Sequence, residues 1–184
     1  MGADVHQHSS VSAGATQTQT MRVALYTPEE RQRRDTSPWT LVQGILAPIQ
    51  FLVFIASTLL VLRYLSTGEG AALATASILL KTMLLYTIMI TGSIWEKVVF
   101  GKWLFAEPFW WEDFFSFLVL GLHTAYLAAF LMDWWTERDR MILALVAYAA
   151  YVVNAVQFLL KLRAARLDEA AAKSASPSPS GWAA

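Results

Sequence analysis

Four runs of this chain, residues 41–62, 71–94, 114–132 and 141–160, are long, apolar and almost free of charge. The hydrocarbon layer of a bilayer is ~30 Å thick and a helix rises ~1.5 Å per residue, so ~20 such residues span it. Lys81 is the only Lys, Arg, Asp or Glu within the four runs, and His123 the only histidine. Membrane-barrel strands would alternate polar and apolar residues, and these runs do not. The predicted fold is an all-α polytopic membrane protein, a four-helix transmembrane bundle. No internal repeat relates the runs.

Composition narrows the chemistry. The chain is 56% hydrophobic and 15% charged, against about 25% charged in soluble domains. Its formal net charge is zero, which offers no general case for nucleic-acid binding, and nucleic acid is not an expected partner. The lipid bilayer is. The chain has no cysteine, which excludes disulfides, Cys-ligated clusters and thiol catalysis. Residues 1–24 are rich in Ser, Thr and Gln, without the apolar core of a secretory signal. Residues 168–184 are rich in Ala, Ser and Pro. Both are expected to be disordered tails, leaving 25–167 as the folded domain. His6 and His8 fit a solvated tail better than a metal site, and no metal site built from protein ligands is expected.

Thr27-Pro28-Glu29-Glu30 carries a capping-box pattern with proline in the first turn, which predicts a short surface helix to about Asp35. Ser37-Pro38 restarts the chain into the first span, where Pro48 predicts a kink. Gly68-Glu69-Gly70 predicts a tight turn. Pro108 opens the third span, with Glu112 and Asp113 in its early turns, where the helix dipole welcomes carboxylates.

Lys and Arg flanking the spans predict orientation. Arg22, Arg31, Arg33, Arg34, Lys97, Lys102, Lys161, Arg163, Arg166 and Lys173 lie on one side, and Arg63, Arg138 and Arg140 on the other. Ten against three places both termini and the central loop in the cytoplasm. Trp39, Trp95, Trp103, Trp110, Trp111, Trp134 and Trp135 fall near the interfaces, as an aromatic belt should.

Polar groups at membrane depth are costly and mark function or interhelical bonding. Gln50, Lys81 and His123 fall near the midplane, and Asn154 and Gln157 nearer the cytoplasmic face. At 100° per residue, Gln43, Gln50 and Ser57 share one stripe, Glu112, Ser116 and His123 a second, and Asn154, Gln157 and Lys161 a third. Facing seams are the expectation, and hydrogen-bond glue accounts for Gln43, Ser57, Ser116 and Asn154. Lys81 needs more, because a buried ammonium requires a partner. Glu96 stands out: it closes the second span, where the dipole disfavours an anion. One intramembrane histidine is too few for bis-histidine haem ligation. No phosphate loop, nucleophile elbow or dinucleotide fingerprint is present.

Longer strings carry a resemblance. Leu25 to Arg31, Val42 to Phe51, Leu62 to Gly70 and Thr91 to Lys97 resemble the 3-vinyl bacteriochlorophyllide hydratase family. So do Trp111-Glu112-Asp113, His123 to Tyr126 and Asn154 to Phe158. The resemblance covers Leu25 to Leu167 and implies a hydro-lyase of bacteriochlorophyll biosynthesis in a bacterial inner or intracytoplasmic photosynthetic membrane. Water would add to the ring A vinyl group of a chlorophyllide or bacteriochlorophyllide, giving 1-hydroxyethyl. It implies no cofactor beyond the magnesium of the tetrapyrrole substrate, and neighbouring enzymes of the pathway as partners. A non-catalytic tetrapyrrole-binding or delivery protein is the alternative.

Such a hydration needs a general acid that holds its proton near neutral pH, and a base for water. Glu96, Glu112 and Asp113 lie at the cytoplasmic rim among Trp95, Trp110 and Trp111, and Glu96 is the first choice for the acid. His123 is a candidate proton relay or axial ligand to the substrate magnesium. Lys81, Gln50, Asn154 and Gln157 are candidate substrate contacts, Lys81 through a substrate carboxylate.

Overall fold

The computed structural model describes residues 25–175. Five helices follow in order: α1 (Pro28–Thr36), α2 (Pro38–Thr67), α3 (Ala71–Phe100), α4 (Trp110–Leu131) and α5 (Glu137–Ala175), with a single 3₁₀ turn at Glu107–Phe109 before α4. No strand occurs among the described residues. Four helical segments are long and apolar enough to cross a membrane.

Local chemistry sets the boundaries. Thr27 Oγ1 accepts from Glu30 N at 3.2 Å, and Thr27 N donates to Glu30 Oε2 at 2.8 Å, the reciprocal box that starts α1. Ser37 Oγ then caps α2 by accepting from Trp39 N. Gly68 and Gly70 sit at φ 77° and 83°, a left-handed conformation that glycine adopts without a Cβ clash. Two such residues reverse the chain within three positions and fold α2 against α3. Pro48 lies inside α2, and the helix continues through it.

Two expected boundaries move. The helices overrun the apolar windows, because polar residues at their ends continue the backbone ladder until a cap intervenes. The cap of α3 is Gly101, at φ 78°. The C-terminal tail expected from Asp168 is helical through Ala175. Ala170, Ala171, Ala172 and Lys173 are strong helix formers, and here helix propensity outweighs the lack of apolar surface. The N-terminal tail, residues 1–24, with His6 and His8, and residues 176–184 lie outside the described residues.

The packing is inverted relative to a soluble bundle. Leu41, Leu52, Leu59, Leu131 and Leu159 are exposed, whereas Gln50, Ser57, Lys81, Glu96, Glu112, Asp113, Ser116, His123 and Asn154 are buried. Lipid as solvent reverses the usual sorting, since apolar side chains lose nothing facing acyl chains and polar ones must find each other. The hairpin α2/α3 is pinned by Gln43 Nε2 to Thr91 Oγ1 and by Ser57 Oγ to Ser77 Oγ, each 2.7 Å. The hairpin α4/α5 is pinned by Asn154 Nδ2 to Ser116 Oγ at 2.8 Å and Lys161 Nζ to Glu112 Oε2 at 2.6 Å. The α4 and α5 stripes face each other as expected, whereas the α2 stripe meets Thr91 and Ser77 of α3 and His123 turns to Lys81.

An apolar core of Val61, Ala74, Ile78, Tyr126, Met141, Ala144 and Tyr148 closes one end of the bundle. The other end is aromatic: Tyr26, Val99 and Phe109 are buried together, with Trp95, Phe100 and Phe158 against them. α1 is tied to this end by Arg33 Nε, which donates to the Val99 carbonyl at 2.9 Å. The candidate site lies here.

Candidate active site

Glu96, near the end of α3, and Asp113, in the first turn of α4, meet across the loop that joins their helices. Their carboxyls interact directly. They are only 5% and 7% exposed. Two buried carboxyls in contact repel one another when both are ionised, so the pair favours holding one proton between them. The connecting loop supplies the remaining donors. Phe105 N donates to Asp113 Oδ2 at 2.7 Å, and the next amide, Ala106 N, donates to Glu96. Phe105 reaches this geometry at φ 57°, unusual for a residue with a Cβ and costing of order 1–3 kcal/mol. Glu96 Oε2 is buried and has no partner.

The third carboxyl is held apart. Glu112 accepts from Lys161 Nζ at 2.6 Å, and the same ammonium donates to the Pro108 carbonyl. Glu112 therefore has a direct ion pair that Glu96 and Asp113 lack. Lys97, adjacent to Glu96 in sequence, turns back to donate to the Gly101 carbonyl at 2.9 Å and lies over the Trp103 ring. It leaves the Glu96 carboxyl unpaired.

Ser116 lies one helical turn beyond Asp113. Its hydroxyl accepts from Asn154 Nδ2, which leaves Asn154 Oδ1 buried and without a partner. Gln157, one turn along α5, has its Oε1 in the same condition.

Lys81 and His123 form a separate cluster. His123 Nδ1 donates to the Val119 carbonyl at 2.8 Å, which fixes Nε2 as the acceptor for Lys81 Nζ at 2.9 Å. Both ring nitrogens are thus engaged, and axial ligation of a magnesium would require Lys81 to leave. Lys81 is fully buried, lies 4.0 Å from the Tyr151 ring centroid and makes no ion pair among the described residues. Fifteen residues separate it from Glu96 along α3, an axial distance of roughly 22 Å, so the expected single site holding Lys81, His123 and the rim carboxyls resolves into two. Gln50, buried on α2, has an unpartnered Oε1 but lies toward the middle of the bundle.

The family model for 2-vinyl bacteriochlorophyllide hydratase matches residues 26–164. A 2-vinyl bacteriochlorophyllide hydratase of Rhodobacter capsulatus is 64% identical over 149 residues, covering 81% of this chain and 86% of the relative. One of Cereibacter sphaeroides is 66% identical over 149 residues, covering 81% of this chain and 92% of the relative. The chain belongs to the 2-vinyl bacteriochlorophyllide hydratase family. No solved structure matches it.

The hydratase family match contains every residue of the carboxyl cluster and stops within α5, before the helical segment at 168–175. Around the cluster, aromatic residues form two stacked pairs: Phe105 with Phe117 at 5.5 Å and Trp110 with Phe114 at 6.1 Å between centroids. Trp103, Trp110, Trp111 and Phe114 are exposed on this rim. Sequence reasoning missed the Phe105 and Ala106 amides, since nothing in the sequence marks Phe105 for a positive φ. It also treated Asp113 as an alternative to Glu96. The tryptophans on either side gave the rim, but not the pairing.

Proposed function

We propose that this chain hydrates the ring A vinyl group of a bacteriochlorophyllide or chlorophyllide, with Glu96 and Asp113 acting as one acid–base unit. The family name numbers that vinyl group 2 and the resemblance numbers it 3; the substituent is the same. The observation that carries the mechanism is the direct approach of two buried carboxyls, Glu96 and Asp113.

Glu96 donates the proton of the pair to the terminal vinyl carbon. The double bond breaks, a methyl group forms, and the positive charge falls on the carbon beside the ring, where the macrocycle delocalises it. The pair is then doubly anionic and buried, which makes it a strong base. Water adds to the cationic carbon and returns one proton to the pair. The 1-hydroxyethyl product forms, and the dyad ends as it began. Two carboxyls sharing a proton titrate as a unit, so the roles of donor and acceptor belong to the pair. The Phe105 and Ala106 amides stabilise its ionised oxygens through each cycle.

The reaction moves no electrons and transfers no phosphate, so it calls for no cofactor beyond the magnesium within the substrate. The exposed aromatic rim suits a flat, greasy macrocycle arriving from the bilayer, since stacked rings add ~0.5–1.5 kcal/mol per pair beyond area burial. The ten-to-three distribution of Lys and Arg supports an orientation with both ends of the chain, and the dyad, on the cytoplasmic side of a bacterial photosynthetic membrane. Incubating purified protein with a 3-vinyl magnesium chlorin, without added nucleotide, tests the activity. A product heavier by one water supports it, and a strict requirement for a redox cofactor counts against it.

A further inference from the structure

Polar side chains elsewhere in the bundle pair off. Gln43 bonds Thr91, and Ser57 bonds both Ser77 and Tyr148. The residues beside the dyad do not finish this pairing. Among the described residues, the buried side-chain carbonyl and carboxyl oxygens without a partner belong to Gln50, Glu96, Asn154 and Gln157. Three of the four converge near the start of α4. Asn154 is locked to Ser116, one turn from Asp113. Gln157 is bracketed between that cross-link and the Glu112–Lys161 pair. A buried acceptor left unmet costs roughly 1–3 kcal/mol, so three together call for a donor that visits the site.

Chemistry limits what that donor is. A magnesium chlorin has lost both ring N–H protons to the metal, and its carboxyl group is ionised near neutral pH. The other substrate of a hydration is water, which brings two O–H donors and one nucleophilic oxygen. We propose that Asn154, supported by Gln157, holds the water that adds to the substrate and fixes the face of the vinyl carbon it attacks. This inference rests on the hydratase reading. Asn154 Nδ2 is spent on Ser116, so its Oδ1 points in a set direction. Asn154 is 9% exposed, which excludes bulk water as an equal competitor. A water that donates one O–H to Asn154 Oδ1, with Gln157 Oε1 beside it as a second acceptor, keeps its other O–H for the dyad and turns a lone pair toward the carbocation. As the C–O bond forms, the second O–H, turned to the dyad, gives up its proton there, and Asn154 is a positioning residue throughout.

The readout that separates positioning from structure is stereochemistry. The new alcohol carbon is a stereocentre, and the ratio of its two epimers reports which face the water reached. Wild type, Asn154→Leu and Gln157→Leu are purified, incubated with a 3-vinyl magnesium chlorin, and the epimers resolved by chromatography. Wild type gives one dominant epimer. Asn154→Leu keeps the side-chain volume, lowers kcat with little change in KM, and reduces the epimer ratio by ~10-fold, as loss of one positioning hydrogen bond implies. Gln157→Leu, at a half-buried position, shifts the ratio in the same direction and stands in if Asn154→Leu does not accumulate. Variants that lose yield or rate with a wild-type epimer ratio overturn the inference. Absence of any hydrated product from wild type would instead overturn the hydratase reading.

Discussion

Glu96 and Asp113, seventeen positions apart in the chain, bring two buried carboxyls together at the aromatic end of the bundle. Neither makes an ion pair among the described residues, whereas Glu112, next to Asp113, holds Lys161 at 2.6 Å, from where the ammonium also acts on Asp113 at longer range. The same helix turn thus presents one carboxylate paired with a lysine and one set against a second buried carboxyl. This division assigns chemistry to Asp113 and architecture to Glu112.

Removing Lys161 should therefore damage folding more than turnover. Lys161→Met leaves a buried Glu112 without its cation, a loss of ~1–3 kcal/mol, reduced by the partial exposure of the lysine. Thermal unfolding in detergent should show a lower midpoint. Adding Glu112→Leu should restore it, because an apolar pair of similar volume replaces a buried ion pair at little cost.

Phe105 offers a test of the loop. At φ 57° it gains from glycine in backbone strain, and Phe105→Gly keeps the N–H that Asp113 needs. Phe105→Pro removes that donor and forces φ near −65°. Turnover should survive the first substitution far better than the second. Equal loss in both would assign the effect to the Phe105 ring and its stack on Phe117.

The Lys81–His123 cluster should behave as structure. Lys81→Met substitutes an apolar chain of similar length at a position roughly 22 Å from the dyad along α3, and should retain turnover. His123→Ala strands the Lys81 ammonium without its acceptor and should lose folded yield, with Lys81→Met restoring it in the double variant. Loss of turnover in well-folded Lys81→Met would place this cluster in the reaction.

Orientation is tested by a reporter fused after Ala184. The Lys and Arg asymmetry predicts activity of a cytoplasmic reporter there, and activity only of an exported reporter would reverse the topology.

The sequence made the bundle legible because lipid imposes one simple rule, a long apolar run for each crossing, and because capping residues announce their helices directly. Thr27, Ser37, Gly68 and Gly70 all act where their chemistry places them. The polar stripes on α4 and α5 were equally readable, since helical periodicity put Ser116 and Glu112 opposite Asn154 and Lys161. Pairings between α3 and α4 were not. Whether Lys81 faces His123, or Glu96 faces Asp113, depends on the rotation of one hairpin against the other, which periodicity within a single helix does not fix. The loop contribution was hidden for a different reason: the positive φ of Phe105 is imposed by tertiary contacts against local preference. The helix dipole argument ranked Glu96 above Asp113, but the direct contact between them outweighs a dipole effect of ~0.3–1 kcal/mol.

The most direct test compares turnover of purified Glu96→Gln, Asp113→Asn and Glu112→Gln with wild type, measured as formation of the hydrated chlorin by mass and normalised to folded protein. The account expects Glu96→Gln to lose ~10²-fold or more, as removal of a general acid should, with Asp113→Asn similarly impaired and Glu112→Gln retaining most turnover per folded molecule. Near-wild-type turnover in Glu96→Gln, with Glu112→Gln inactive, would contradict it.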